Sequence, residues 1–316
     1  MNWTDITKGQ GDEPEGVLIV HKESGWTSHD VVAKLRRLLG NSKVGHAGTL
    51  DPSATGVLPI LVGRATRIAE YLIEWDKEYR AVLRLGETTD TQDATGQVLT
   101  RTDVGEVTEE ALLEVIARFR GAQRQLPPMY SAVKVGGQPL YKAARAGKTV
   151  DRADRSIAIH RLEIAAVHGH DVTLNIVCSK GTYVRTLCAD IGQALGVGGH
   201  LHALERRRVG PLSIDRAMTI DQVVGHLGTG TLGRQFVSLD QLLCELPAVV
   251  VNEEQAQRVL HGSPIYPVGV GHLPAASTGM SVRLKNEAGR LLAIGTHDTG
   301  NVGPIRVRKV LAHLSS

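Results

Sequence analysis

The sequence predicts an α+β fold, with a mixed central sheet flanked by helices and a small β-rich domain after it. Strand-like and helix-like segments interleave from Val17 to Leu195 without the regular alternation of a parallel, doubly wound sheet. From about residue 246 the pattern changes to one helical stretch and several short strands broken by Gly and Pro. The 316 residues suffice for one large domain with an appendage, and a 42% hydrophobic content supplies a sizeable core. Aromatics are only 3% of the chain, so packing rests on Leu, Val, Ile and Ala, and each Tyr or Trp merits attention.

Taken in order, Val17 to Val20 reads as an apolar strand. "GWTSHDVVAKLRRLLGN" reads as a helix: Thr27 or Ser28 caps it, Val31, Val32, Leu35, Leu38 and Leu39 form one face, and Gly40 closes it. "GVLPILVG" is a buried strand and "RATRIAEYLIEW" a helix. In "KEYRAVLRLG", Tyr79, Ala81, Leu83 and Leu85 share one face of a strand. Thr108 starts the helix "TEEALLEVIARF", with two glutamates in its first turn. "IAIHRLEIAAV" and "DVTLNIVCS" form a strand pair around "HGHD", and "YVRTLCADIGQALG" is a helix that follows a Gly-containing turn. The tail runs "LPAVVVNEEQAQRVLHGSPI", then Gly- and Pro-rich turns, then short strands in "SVRLKN", "RLLAIGTHD" and "IRVRKVL", which reads as one helix plus several strands.

Composition excludes several classes. Cys178, Cys188 and Cys244 form no C-x-x-C pair, the thirteen histidines include no H-E-x-x-H, and neither G-x-G-x-x-G nor a Walker A sequence occurs. The expectation is therefore no metal and no cofactor. The polar N-terminus is no signal peptide and no apolar run reaches membrane-spanning length, so the reading is a cytoplasmic protein with no membrane partner and a flexible leader over 1–15. The net charge of +3 is mild, but basic residues cluster at Lys34–Arg37, Arg206–Arg208 and Arg306–Lys309. Such clusters make either solvated faces or local phosphate-binding faces.

Four stretches can carry chemistry. In "GHAGTLDPSATGVL" the single carboxylate Asp51 stands among small residues that leave room for a bulky ligand. An ordinary Asp-Pro turn accounts for the same letters. His46 nearby can meet a phosphate or a base, or be a plain loop histidine. In "DKEYRAVLRLGETTDTQDATG", Tyr79 can stack on a flipped base, carry a proton or face the core. The acidic, Thr-rich end of that stretch lacks calcium-loop spacing and suits a surface loop. "QLPPMYSAVKVGGQPLYKAARAG" suggests a mobile loop with phosphate-facing cations, among them Lys142 and Arg145. In "CSKGTYVRTLCADIGQALG", Arg185 at a helix start can pair with a carboxylate from elsewhere, holding it ionised and aimed. Tyr183 lies beside it. These features alone suggest carboxylate chemistry on a polyanion and leave hydrolysis, transfer and isomerisation open.

Together, "GHAGTLDPSATGVLPI", "DKEYRA", "LGETTDTQDATG", "PPMYSAVKVGGQPLYKAARAG", "CSKGTYVRTLCADIGQALG" and "HLHALERRRVG" resemble the bacterial tRNA pseudouridine synthase B (TruB) family, in order and spacing, from about Gly16 to Leu311. The resemblance implies a pseudouridine synthase catalytic domain over 16–218, with a thumb loop near 125–147, a helical linker over 219–245 and a PUA-like RNA-binding domain over 246–316. It implies Asp51 as nucleophile, with Tyr79 and Arg185 as further catalytic residues and His46, Lys22, Tyr183 and Leu204 as substrate-binding residues. The family's usual Lys-Pro reads Lys22-Glu23 here, a departure that bears on loop stiffness. The implied substrate is uridine 55 in the T-arm stem-loop of tRNA, turned to pseudouridine by base flipping. The implied enzyme is a monomer with no obligate protein partner. Two rivals stand beside this reading. One is a guide-RNA-dependent synthase, which lacks much of the "GETTDTQDATG" and thumb segments. The other is an RNA-binding or tRNA-folding protein. A glycosidase is more distant, since no second carboxylate shares so distinctive a context.

Overall fold

The computed structural model describes residues 15–41, 43–105, 107–131, 133–266, 279–297 and 303–312. The leader expected over 1–15 lies outside them, apart from Glu15. β1 (Gly16–Lys22) is buried on both faces. Its outer edge is covered: Val17 exchanges backbone bonds with Val237, and Met218 bonds to Ile19 and His21, which removes an open strand edge. α1 (Ser28–Leu39) begins with a reciprocal cap between Thr27 and Asp30 and ends at Gly40, whose φ of 61° lies in the left-handed region. β2 (Val44–His46) and the apolar β3 (Thr55–Val62) follow, both antiparallel to their partners at this end of the sheet.

The helix expected through "RATRIAEYLIEW" is split. Gly63–Ile68 winds as a tighter 3₁₀ turn and only α2 (Ala69–Glu74) is α-helical. The Thr66 hydroxyl bonds back to the Gly63 carbonyl, and a hydroxyl that competes for a helix carbonyl favours the tighter turn. β4 (Lys77–Leu85) buries Ala81, Leu83 and Leu85 on one face, as its alternation predicts. β5 (Glu87–Thr89) and β6 (Val98–Arg101) make a separate hairpin, and α3 (Glu109–Arg118) starts at the Thr108 cap. After β7 (Gly121–Gln125), the segment expected to be a thumb holds a two-stranded hairpin, β8 (Lys134–Val135) with β9 (Gln138–Pro139), and a short helix α4 (Leu140–Arg145).

β10 (Arg155–His168) and β11 (Asp171–Cys178) form the long hairpin expected around "HGHD". α5 (Val184–Ala194) leads into β12 (Gly199–Val209) and β13 (Leu212–Ser213). The main sheet has nine strands, in the order β1-β3-β12-β4-β11-β10-β7, with β2 on β3 and β13 on β12. Only the β3–β12 pair is parallel, so the sheet is mixed, with β12 between β3 and β4.

α6 (Ile220–Gly228) and α7 (Leu239–Leu242) pack on the sheet, burying Val223, Leu239 and Leu242. The last unit, the PUA-like β-rich domain, has β14 (Ala248–Val251), α8 (Glu253–Leu260), β15 (Ser281–Asn286), β16 (Leu291–His297) and β17 (Ile305–Val310), with the strands side by side in one sheet. It shares a core with the larger domain: Ile294 and Leu311 pack in one cluster with Leu61, Ile68 and Leu72. Asp240 binds both Arg283 (2.8 Å) and Lys285 (2.7 Å), and Lys309 binds Glu70 at 2.7 Å. Among the described residues, no helix is long and apolar enough to cross a membrane.

Candidate active site

Asp51 lies in the turn that precedes β3. Small side chains give this loop little to pack with, so its backbone is tied from below. The Ser28 hydroxyl accepts from the Leu50 N–H at 2.9 Å and donates to its carbonyl at 3.2 Å. Pro52 offers its carbonyl to the Gly25 N–H (2.9 Å) and to the Lys22 ammonium (3.1 Å). Ala54 N–H closes the turn on the Asp51 carbonyl.

Arg185 reaches Asp51 from the start of α5. Its Nε lies 3.0 Å from Asp51 Oδ2 and its Nη2 3.4 Å from Oδ1, a two-point pairing. The same guanidinium donates to the Tyr130 carbonyl (2.9 Å), at the base of the thumb segment, and meets Asp93 Oδ2 at 3.4 Å. Burial pushes the Asp51 carboxyl above its ordinary value, Arg185 pulls it down, Asp93 adds to the rise and Lys22 opposes it. The net direction is upward, which makes this carboxylate a better base and nucleophile than a solvated one. A cleft of about 20 Å³ opens beside Asp51, walled by Asp93, Arg185, Leu201, Ala203 and Leu204.

Tyr79 stands on β4 directly across from Arg206 on β12. It is half-buried against the core, with the Arg206 guanidinium as its charged neighbour. Burial raises the phenol, and the neighbouring guanidinium works against that rise. Leu204 lines the cleft. Lys22 lies beneath the Asp51 loop. It is 1% exposed, and its ammonium donates to the carbonyls of Glu23, Trp26 and Pro52. It therefore acts on Asp51 through the loop and through its charge, with no open position for a substrate. His46 packs edge-on against His29, ring centres 6.1 Å apart, with Nδ1 buried and without a partner. Burial, helped by His29 and Arg206, lowers its pKa, so the neutral ring is favoured. Tyr183 is the residue before α5, tied by its backbone to the Gln125 side chain. It does not line the cleft.

Two further readings are corrected. The Arg206–Arg208 cluster is no open basic face: Arg206 is 1% exposed, Arg207 pairs with Glu205 and Arg208 with Glu78. The loop read as acidic surface turns inward, burying Asp93. There Asp93 accepts from Thr91 and Thr95 hydroxyls and from the Thr95 N–H before facing Arg185. Asp93, Arg206 and Ser28 are the site residues that sequence reasoning missed. The Thr–x–Asp–x–Thr spacing around Asp93 was the one available signal, since flanking hydroxyls satisfy a buried carboxylate.

The N-terminal domain model of the TruB family pseudouridylate synthases matches residues 36–184, and the C-terminal domain model of tRNA pseudouridylate synthase B matches 185–250. The chain is 42% identical over 296 residues to tRNA pseudouridine synthase B of Stutzerimonas stutzeri, covering 92% of this chain and 95% of that protein. It is 41% identical over 307 residues to the protein of the same name from Bacillus licheniformis, covering 95% and 98%. Among solved structures, it is similar to a chain of a Cbf5-Nop10-Gar1 complex, with TM-score 0.75, 28% identity, and 95% of this chain and 86% of that one covered. A chain of an H/ACA RNP bound to a substrate RNA containing 2'-deoxyuridine gives TM-score 0.72 at 25% identity, covering 95% and 86%. The chain belongs to the TruB family of pseudouridylate synthases.

Proposed function

We propose that this chain is a stand-alone tRNA pseudouridine synthase that isomerises uridine 55 in the T-loop, acting as a cytoplasmic monomer without guide RNA. The observation that carries this reading is the Asp51 carboxylate gripped at 3.0 Å by Arg185 beside a small, Leu204-walled cleft. The relatives at 41–48% identity are each called tRNA pseudouridine synthase B, which supports tRNA as substrate.

Pseudouridine formation breaks the N1–C1′ bond, turns the uracil and rejoins it through C5, losing one C5 proton to solvent. Asp51 serves as nucleophile, at C1′ or at C6, or promotes elimination through a glycal. Arg185 keeps that carboxylate ionised and aimed. Tyr79 stacks on the base and stands where it can handle the C5 proton. The cleft of about 20 Å³ holds little more than a water molecule, so a flipped nucleotide enters as the walls part and the detached base is then held dry. The target is stacked in a folded loop and must be flipped out, with His46 supporting the displaced RNA. The C-terminal domain (246–316), reached through 219–245, adds RNA contacts whose strength falls with salt.

The test uses a tRNA transcript tritiated at uridine C5, with no guide and no added metal. Wild-type protein releases tritium and leaves pseudouridine at the T-loop uridine. Asp51→Asn releases none while binding tRNA within a few-fold. A folded wild-type protein that binds tRNA and releases nothing sinks the reading in favour of a guided enzyme or an RNA-folding protein. Comparable turnover by Asp51→Asn removes Asp51 as nucleophile.

A further inference from the structure

Arg206 is among the largest side chains in the protein that are fully buried. It stands on β12 where three strands meet, across from Gly56 of β3 on one side and Tyr79 of β4 on the other. Its guanidinium points beneath the Asp51 loop. Nε donates to the Val57 carbonyl (2.7 Å), Nη2 to Gly48 (2.9 Å) and Nη1 to Thr49 (3.4 Å). Tyr79 stands beside it as its cross-strand neighbour on β4. Among the described residues, Arg206 forms no ion pair.

A buried cation with no carboxylate partner is a costly way to tie a loop to a sheet, because desolvation is uncompensated. Neutral amide or hydroxyl donors bind carbonyls at less cost, as Ser28 does at Leu50. What a guanidinium adds is a rigid planar fork with five N–H donors. Here that fork spans both sides of the site at once. On one side it holds the two carbonyls that lead into Asp51. On the other it stands beside Tyr79, its cross-strand partner on β4. We propose that Arg206 is a positioning residue for the isomerisation, fixing the Asp51 loop and Tyr79 in one frame. This rests on the synthase reading above.

The experiment measures single-turnover tritium release with enzyme in excess, tRNA affinity by filter binding and folding by thermal melts. The proteins are wild type, Arg206→Gln, Arg206→Lys, Tyr79→Phe and the Arg206→Gln/Tyr79→Phe double variant. For folded Arg206→Gln, the rate falls by about 100-fold while tRNA affinity changes by less than about three-fold, since misplacement by an ångström costs rate and leaves binding. Arg206→Lys keeps the charge without the fork and recovers part of the rate. The double variant loses less than the product of the two single losses, because the two side chains are cross-strand neighbours held in one frame. The proposal is overturned if Arg206→Gln folds and turns over at the wild-type rate. It is overturned equally if rate falls only in step with affinity, if the losses multiply, or if neither Arg206 variant folds, since each leaves a purely structural role. Wild-type protein in the same assay separates the two ideas: its failure to release tritium refutes the synthase reading itself.

Discussion

Replacing Arg185 with lysine keeps the charge and removes the fork. In the native site the guanidinium serves two Asp51 oxygens at 3.0 and 3.4 Å, Asp93 at 3.4 Å, and the carbonyls of Tyr130 at 2.9 Å and Thr91 at 3.5 Å. A lysine has three donors on one nitrogen and cannot span these positions. With about 1 kcal/mol for each bond lost, Arg185→Lys destabilises the fold by about 2 kcal/mol. Arg185→Met is worse, because it leaves Asp93, whose side chain is 9% exposed, facing Asp51 with no cation between them. Breaking a buried ion pair in this way costs about 3–5 kcal/mol. The pH dependence then identifies the mechanism. Arg185 holds the Asp51 carboxyl down against burial and against Asp93. Without it the carboxyl rises further, so the rate, which needs the ionised form, falls away at a higher pH than in wild type. Urea melts give the stabilities, and single-turnover tritium release across the acid range gives the limb. Wild-type stability and rate in Arg185→Lys, or an unmoved acid limb in Arg185→Met, refutes this account of the pair.

Three other outcomes follow from the geometry. Gly56 has φ +101°, and a Cβ there would lie 2.2 Å from the Arg206 carbonyl oxygen. Backbone strain and overpacking together put Gly56→Ala at about 4 kcal/mol of lost stability, and a urea midpoint near wild type contradicts this. Burial brings Lys22 down to about 8, with Asp51 opposing and Arg206 reinforcing the fall. Its folded value lies below the unfolded one, so holding the proton costs stability at neutral pH, and stability rises as pH climbs from about 8 towards 10.5. Over the same rise the ammonium beside Asp51 is lost, so the single-turnover rate drops near pH 8 in wild type and shows no such limb in Lys22→Met. A wild-type rate that stays flat to about pH 9 rules this out. Burial raises Asp240, but hydrogen bonds from Lys285 and Arg283 hold its carboxyl below the ordinary value overall. This contribution is present above the ordinary carboxylate range and lost as pH falls below it, so Asp240→Asn loses about 1 kcal/mol at pH 7 and matches wild type in acid. Equal melts at neutral pH count against the docking role.

The legible parts of the molecule were helices and the regularly alternating strand β11, whose partner β10 pairs along it despite two bulges. α1, α5 and the β10–β11 hairpin lie where their patterns predict. β12 escaped notice because bulges at Leu201/Ala203 and Arg206/Arg208 break its alternation twice, so "HLHALERRRV" has no period of two. The same bulges turn Arg206 inward while Arg207 and Arg208 meet surface carboxylates, which is why three adjacent arginines read as one basic patch. Asp93 was hidden for a related reason. Its burial depends on Gln92 taking a φ of 63° and on Ala94 bonding back to Leu201, contacts far apart in sequence. Pairing of Arg185 with a carboxylate from another segment was legible as a possibility from the residue type at a helix start. Only the family resemblance singled out Asp51 as that carboxylate. The C-terminal boundary was drawn from a change of composition, which carries no sign that Ile294 and Leu311 complete a core shared with the larger domain. Truncation after Glu245 therefore uncovers that core as well as removing RNA contacts, and a loss of tRNA affinity in such a protein has two causes.

The small residues around Asp51 explain why the site is held by buried cations. A nucleotide needs space beside the carboxylate, so Gly48, Ser53, Ala54 and Gly56 leave the loop almost without side-chain packing. Beyond buried Ala47, Leu50 and Ala54 the loop has little side chain to pack, so it is fixed largely through its own backbone, and its carbonyls need donors. Lys22 and Arg206 supply donors to Gly48, Thr49, Pro52 and Val57 from below, and Ser28 holds Leu50. Using cations for this has a second effect. The charge of Lys22 joins the larger pull of Arg185 against the rise that burial imposes on Asp51, so the carboxylate can be drawn into the fold and still ionise. Anchoring the loop and keeping its one acid charged are thus met partly by the same side chain, Lys22, and this requires the anchor to be a cation even where it never touches substrate.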